Sequence, residues 1–346
     1  MAVAPGRINI IGEHTDYAGG LCLPAAVDRY LAVASGPASG IELVSEGHGA
    51  PVTADPEDLR PSGSWADLPL GVLAQLAEDN VPIETRFAIA SEIPPGAGLS
   101  SSAALAVATA IAVLQLLGGR INAHALTRLC QRAENDFLGV PTGLMDQIAI
   151  VHGRRGEALL FNAGIEIFEP VSLPDDIAFI VVESGVERSL RSGSYGDRHG
   201  EAAEALRLAR LRHPGLRSLA DLESPEIEAL GLAETLRRRA RHIAGESHRV
   251  RLAIACLEAD NVEALGQLMS TSHLSLARDY EVSTPELDAL VAEAIEAGAA
   301  GARLLGAGFG GSIIAAVDAS RMERVAGLLE RGHKIHRVAA VDGALS

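Results

Sequence analysis

The sequence predicts an α+β protein of two lobes, and three observations predict it. The chain has 346 residues, 48% of them hydrophobic, which is enough to bury more than one core and too apolar for disorder. Strand-like and helix-like apolar patterns both recur along its length. A turn-rich link at 162–176 stands between two strand-like segments and divides the chain into lobes at 1–163 and 164–346.

Taken in order, GRINIIGEHTDYAGG (residues 6–20) reads as a strand through Ile8, Ile10 and Ile11. It ends in Gly12 and hands over to a turn carrying Glu13, His14 and Asp16. Residues 21–34 read as further strands, followed by Gly, Pro and Ser punctuation at 36–40 and 61–64. Residues 65–79 have helical spacing, with Leu68, Val72, Leu73 and Leu76 on one face. A strand is expected over 83–91, ahead of Pro94 and Pro95. The apolar run at 103–117 is a buried helix, too short to span a membrane. A second helix covers 123–137, strands cover 157–161 and 177–182, and a polar loop leads into a helix near Tyr195. Helices fill 226–277. Gly306, Gly308 and Gly311 form a G-x-G-x-x-G, but SIIAAV follows them. A dinucleotide fingerprint must open a helix, so a tight turn between two strands is expected instead. A helix over 319–331 and a strand over 334–341 complete the reading.

Lys+Arg 29 against Asp+Glu 45 gives a net charge of −16. Such a surface repels phosphodiester backbones and anionic lipid, so neither nucleic-acid nor membrane binding is expected. The arginine run LRRRARHIAGESHRVR (236–251) is therefore read as a solvated helix face with acidic partners. Lys334 is the lone lysine, which leaves cationic chemistry to arginine. Cys22, Cys130 and Cys256 make no C-x-x-C pair and support neither a disulfide framework nor a zinc site. His333 and His336 lack a third metal partner nearby and read as surface residues. MAVAPGR shows no secretory pattern, and a reducing, cytoplasmic setting is expected.

Three features carry chemistry in their own residues. Glu13, His14 and Asp16 together can grip hydroxyls from several directions, which suits a polyhydroxylated ligand; equally, they can solvate a loop. In PPGAGLSSSAAL (94–105), Gly96 and Gly98 let backbone approach a ligand. A helix starting near Ser101 aims unpaired N–H groups and its positive dipole end at that loop, an anion site suited to phosphates. A serine-capped strand–helix junction is the plainer alternative, and the absence of G-K-[ST] excludes a Walker A loop. Asp146, set between Met145 and Ile148, is either a paired structural carboxylate or a tuned functional one.

Taken together these stretches resemble the galactokinases of the GHMP kinase superfamily. Residues 6–20 resemble the signature G-R-x-N-[IL]-I-G-E-H-x-D-Y-x-x-G, 94–105 the superfamily's phosphate loop, and LLGAGFGGS (304–312) its third motif. TSHLSLARDYEVSTPELDALV (271–291) resembles the stretch around S-L-x-x-D-[FY]-x-V-S-x-P-E-L-D, and RRRARHIAGESHRV (237–250) a galactokinase helix. The likeness runs essentially end to end. Mevalonate and homoserine kinases share the phosphate loop but not G-E-H-x-D-Y.

The resemblance implies a two-lobed GHMP kinase fold with its active site in the interlobe cleft, transferring the γ-phosphate of ATP to the anomeric hydroxyl of galactose. Glu13, His14 and Asp16 would bind sugar hydroxyls, with Gly143 and Tyr195 completing that pocket. Asp146 matches the catalytic aspartate, and Arg7 the arginine beside it. Gly96, Ala97, Gly98, Leu99, Ser100, Ser101 and Ser102 would hold ATP, with Trp65 beside the adenine; Ser102 and Glu134 match the Mg2+ ligands. Galactose and MgATP are the implied partners, bound by a monomer. The chain departs from the family pattern at Ala18 and Glu183, both implied to lie near the sugar, at Leu68 on the adenine side, and at Ala307. The rival readings are a kinase of N-acetylgalactosamine or arabinose, and a non-catalytic sugar and ATP sensor.

Overall fold

The computed structural model describes residues 1–77, 84–186 and 194–345. The end of the 65–79 helix, Ile83 of the 83–91 strand and most of the polar loop before Tyr195 lie outside the described residues. Strands β1 (Ala2–Asn9), β2 (Leu21–Cys22), β3 (Pro24–Gly36), β4 (Ile41–Ser45) and β5 (Val52–Ala54) precede helix α1 (Asp67–Ala77). Strand β6 (Thr85–Ser91) then leads through the glycine loop to α2 (Ser101–Leu116), α3 (Ala123–Arg132) and α4 (Met145–His152). After β7 (Glu157–Asn162), β8 (Ile167–Ser172) and β9 (Ile177–Glu183) come α5 (Ser194–Arg210), α6 (Ser224–Ala229), α7 (Glu234–Glu258), α8 (Val262–Ser275) and α9 (Pro285–Glu296). The hairpin β10 (Gly301–Leu305) and β11 (Ser312–Asp318), helix α10 (Met322–Leu329) and strand β12 (Ile335–Val338) follow.

Three sheets result: β1-β3-β6-β4-β5, β10-β11-β9-β12 and β2-β7-β8. All pairings are antiparallel except β4 with β6. One mixed and two antiparallel sheets, with helices packed against them, give the expected two-lobed α+β architecture. One hydrophobic core lies between the five-stranded sheet and α1–α3, and a second between the β9–β12 sheet and α5, α7, α9 and α10. Helix α2 is apolar on nearly every side, as its alanines allow, and is buried against the sheet and its neighbours. Its N-terminus is thereby fixed at the edge of the cleft.

The expectations at 162–176 and 123–137 need correction. The link at 162–176 contains β8, an edge strand whose Pro170 and exposed alternate residues hid it among turn signals. The division at 163/164 thus falls inside the β7–β8 hairpin. The helix over 123–137 ends at Arg132, and Ala133–Phe137 continues as a π-helical turn. A second π-helical turn, Leu276–Tyr280, follows α8. Each turn buries a polar side chain, Glu134 in the first and Tyr280 in the second. The glycine turn between two strands is present as expected, joining β10 to β11.

The arginines of α7 do find acidic partners, Arg237 and Arg241 at Glu228, and Arg238 at Glu281. Arg239 differs from the expectation. It is buried rather than solvated and holds Glu201 and Glu281. His336 is likewise buried, with Glu183 at 2.7 Å, whereas His333 meets Glu293 at the surface. Among the described residues no helix is long and apolar enough to cross a membrane.

Candidate active site

Strand β1 delivers Arg7 and then turns at Gly12 into the polar stretch predicted from the sequence. Helix α4 presents Asp146 in its first turn, directly opposite. The guanidinium of Arg7 donates from Nε to Asp146 Oδ1 at 2.7 Å and from Nη2 to Oδ2 at 2.9 Å. Its Nη1 donates to the carbonyl of Gly98 in the phosphate loop. Burial disfavours charge on Arg7, but Asp146, Glu13 and Asp16 outweigh it and raise its pKa. Ser100 adds its hydroxyl to Asp146 Oδ2. Ser100 takes the helix N-cap position but makes no side-chain cap, and its backbone is left-handed at φ 57°. Strain of this kind in a non-glycine residue collects at functional sites. Asp146 is thus paired with Arg7 and Ser100, and all three line a pocket.

That pocket has a volume of about 300 Å³, at the low end for small-molecule sites. Arg7, Glu13, His14, Asp16, Gly143, Asp146 and Tyr195 all line it, as do Gly96, Gly98, Leu99, Ser100, Ser101 and Ser102 from the phosphate loop. The two chemistry-bearing stretches therefore share one cavity. Ala97 is buried behind it. Trp65 lies apart from it and stacks on His48, with ring centroids 5.1 Å apart. Leu68 is buried in α1. The two departures implied to sit near the sugar do not line the pocket. The Ala18 carbonyl accepts from Ser218 Oγ at 2.7 Å, and Glu183 pairs with Lys334 and His336. Ala307, the third-motif departure, does line it.

The polar turn is braced from the other lobe. Glu13 accepts from Asn9 Nδ2, from the backbone N–H of Gly306, and from Arg303 Nη2 at 3.1 Å. Arg303, completely buried in β10, also donates to the carbonyl of Ile10 at 2.9 Å. Glu13 thus ties the third glycine motif to the first while facing the pocket. On α7, Glu246 Oε1 accepts from the N–H of Gly12 at 3.0 Å and from Ser272 Oγ at 2.6 Å. His242 places Nε2 at 3.0 Å from the Glu13 carbonyl. Burial works against the Glu246 charge, yet Arg249, His242 and Arg303 prevail and hold its carboxyl down at about 2. Burial lowers His242 to about 4. His14 stands at φ 61°, with Nδ1 2.8 Å from the Tyr17 hydroxyl, which lies 2.9 Å from that of Tyr280.

Asp16 is pushed up to about 7 by burial and then by the charges of Asp146 and Glu13. It lies against Gly143, where an added Cβ would fall 2.0 Å from Asp16 Oδ2. No side chain but hydrogen fits. Glu134, in its π-helical turn, accepts from Thr142 Oγ1 at 3.0 Å and Gln147 Nε2 at 2.8 Å. Burial and the charge of Asp146 raise it to about 7, against hydrogen bonds from Thr142, Gln147 and Ser102. Ser102 and Glu134 thus stand together, a hydroxyl and a carboxylate of the hard-oxygen kind that Mg2+ accepts. Among the described residues no group of three or more His, Cys, Asp or Glu forms a metal cage. A cation here would take its remaining ligands from substrate phosphates and water, the usual arrangement for Mg2+. The pocket lining sets three carboxylates against one guanidinium, an acidic balance that a divalent cation would offset.

Residue-level reading missed Arg303, Asn9, His242 and Glu246 as supports of the site. Arg303 was detectable as a single charge inside the apolar run GARLLGAG, and Glu246 as a carboxylate inside the arginine-rich helix. Their targets are backbone groups more than 200 residues away in sequence, which no local pattern reveals.

Three family descriptions match the chain: the galactokinase galactose-binding signature over 1–37, the GHMP kinases N terminal domain over 67–154, and the GHMP kinases C terminal over 253–331. The chain is 39% identical over 327 residues to a galactokinase of Roseiflexus sp. (strain RS-1), covering 92% of this chain and 84% of that protein. It is 37% identical over 321 residues to a galactokinase of Thermococcus kodakarensis, with coverages of 92% and 90%. The structure of Lactococcus lactis galactokinase complexed with galactose superposes with a TM-score of 0.89 at 31% identity, over 99% of this chain and 94% of that one. Methanococcus jannaschii mevalonate kinase, at 19% identity and a TM-score of 0.71 over 98% of both chains, shares the fold.

Proposed function

The chain belongs to the galactokinase family, and we infer that it transfers the γ-phosphate of ATP to the anomeric 1-hydroxyl of galactose. The observation that carries the reading is the fork of Arg7 on Asp146 inside a pocket lined by both the sugar signature and the phosphate loop. Phosphoryl transfer asks mainly for positioning and charge stabilisation. Asp146 receives the hydrogen bond of the 1-hydroxyl and takes its proton as the new O–P bond forms and the bond to ADP breaks. Arg7 orients Asp146 and reaches toward charge developing on the transferred group. The N–H groups at the start of α2, with Gly96 and Gly98, receive the ATP phosphates. Ser102 and Glu134 would hold Mg2+, which when bound supplies charge neutralisation between the β- and γ-phosphates.

Glu13, His14 and Asp16 read the sugar hydroxyls, with Gly143 and Tyr195 closing the pocket. Glu13 is already committed to three donors and has little acceptor capacity left, so His14 and Asp16 carry more of the discrimination. Trp65 is proposed to flank the adenine from beyond the pocket edge. A cytoplasmic monomer that binds neither nucleic acid nor membrane fits the acidic composition. The test is ADP release over a panel of sugars including N-acetylgalactosamine and arabinose. Galactose is expected to have the highest kcat/KM; a panel in which another sugar matches it overturns the substrate assignment, and no turnover of any sugar favours a binding-only protein.

A further inference from the structure

On the far side of the polar turn, residues 220–227, α7, α8 and the π-helical turn after α8 line a second cavity of about 910 Å³, against about 300 Å³ for the first. Leu222, Ile227 and Ala244 give it an apolar lining, while Arg241, Arg249, Arg251 and Arg278 bring guanidinium groups to it. Arg241 is engaged by Glu228 and Asp279, and Arg249 by Glu246. The guanidinium groups of Arg251 and Arg278 have no hydrogen bond or ion pair among the described residues. The lining sets its four guanidinium groups against three carboxylates, Asp221, Glu223 and Asp279. Asp221 and Glu223 accept backbone N–H groups in helix caps, and Asp279 accepts from Arg241 and Ser275. Gly245, a residue type disfavoured in the interior of a helix, stands in this lining; a Cβ there would come within 3.2 Å of Arg249.

Two side-chain relays join this cavity to the sugar-reading turn. Arg249 lines the cavity and donates to Glu246 at 2.7 Å, and Glu246 accepts from the N–H of Gly12. Ser275 lines it too, and its Oγ lies 2.9 Å from His242 Nδ1, whose other nitrogen meets the Glu13 carbonyl. We propose that this cavity is an effector site for a phosphorylated small molecule, and that occupancy weakens sugar binding. An anion drawn to Arg251 and Arg278 also bids for Arg249, loosening its hold on Glu246 and with it the turn that carries Glu13, His14 and Asp16. The coupling rests on the sugar-kinase reading above; binding to the cavity does not.

The probe is fructose 1,6-bisphosphate, compared between wild type and the double variant Arg251→Glu/Arg278→Glu. Calorimetry on protein saturated with galactose and a non-hydrolysable MgATP analogue keeps the first pocket filled. Binding is expected to wild type and to be lost in the variant, whose galactose KM and kcat without probe stay at wild-type values. With wild type the probe is expected to raise galactose KM at least fivefold and leave the ATP KM unchanged. Equal binding to both proteins, no binding to wild type at millimolar probe, or binding without a change in galactose KM each overturns the proposal. If no sugar turns over, the calorimetric arm still decides whether the cavity binds the anion.

Discussion

The Arg7 guanidinium lies edge-on to the Asp146 carboxylate, with donor–acceptor distances of 2.7 and 2.9 Å, although the two residues are 139 positions apart. This fork fixes the orientation of the proposed proton acceptor before substrate arrives. The third nitrogen of Arg7 secures the glycine loop at Gly98, so one side chain joins Asp146 to that loop.

Replacing Asp146 by alanine is expected to lower kcat by about 10²–10⁴-fold, since positioned proton transfer is worth that much. ATP affinity, measured by equilibrium binding, is expected to stay within a few fold. A rate unchanged from wild type removes Asp146 from the chemistry.

Arg7→Lys keeps the charge and loses the fork, which lysine's single ammonium cannot reproduce. A loss of roughly 10–100-fold in kcat is expected, equivalent to about 1.4–2.8 kcal/mol of transition-state stabilisation. Steady-state kinetics in galactose and in ATP check it; retention of wild-type kcat shows that charge alone suffices.

Ser100→Gly is expected to separate stability from activity. Glycine relieves the left-handed backbone at φ 57°, worth about 1 kcal/mol, and removes the hydroxyl that Asp146 accepts. Tm should change little, because the strain relieved and the hydrogen bond lost are of similar size, while kcat falls about tenfold, the scale of one hydrogen bond to a charged group. A parallel drop in both quantities would mean that the hydroxyl serves the fold alone.

Gly143→Ala places a methyl against Asp16, 2.0 Å from its Oδ2. Asp16 has to move, so galactose KM is expected to rise about tenfold or more while the ATP KM stays put. An unaltered galactose KM would take Asp16 out of the sugar contact.

The buried carboxyls make opposite contributions to stability against pH. Glu246 has its folded pKa held down at about 2, so its contribution is present above the ordinary glutamate range and is lost as pH falls from about 4.5 toward 2. Asp16 has its folded pKa raised to about 7, so its contribution is present below pH 4 and is lost as pH rises through 7. Chemical denaturation across pH is expected to show Glu246→Ala destabilised by ~3–5 kcal/mol at neutral pH, the scale of a broken buried pair, with a flatter acid limb. In Asp16→Asn the decline between pH 4 and 7 should shrink; an unchanged slope contradicts the assignment.

Legibility in the sequence followed the range of the interactions. The polar turn, the phosphate loop and the glycine hairpin were readable because glycine spacing, proline and apolar periodicity are local. Leu68, Val72, Leu73 and Leu76 lie buried on the face their spacing named. Strand β8 was not readable, because an edge strand with Pro170 carries turn-like composition. Neither π-helical turn was readable either, since one residue inserted into a helix leaves the composition unchanged.

By itself the sequence determined two lobes of strands and helices, a glycine loop that opens a helix, and a polar turn carrying Glu13, His14 and Asp16, because each follows from the conformational preferences of neighbouring residues. Only the tertiary structure decided that the loop and the turn share one pocket, that Asp146 answers to Arg7 and Ser100, and that Glu13 is held by Arg303 and Gly306. The same holds for the brace from α7, where Glu246 and His242 reach the backbone of Gly12 and Glu13. These contacts satisfy buried charges and backbone groups that water no longer reaches. Which distant side chain meets each of them depends on how the lobes pack, and that is written in no single stretch of the chain.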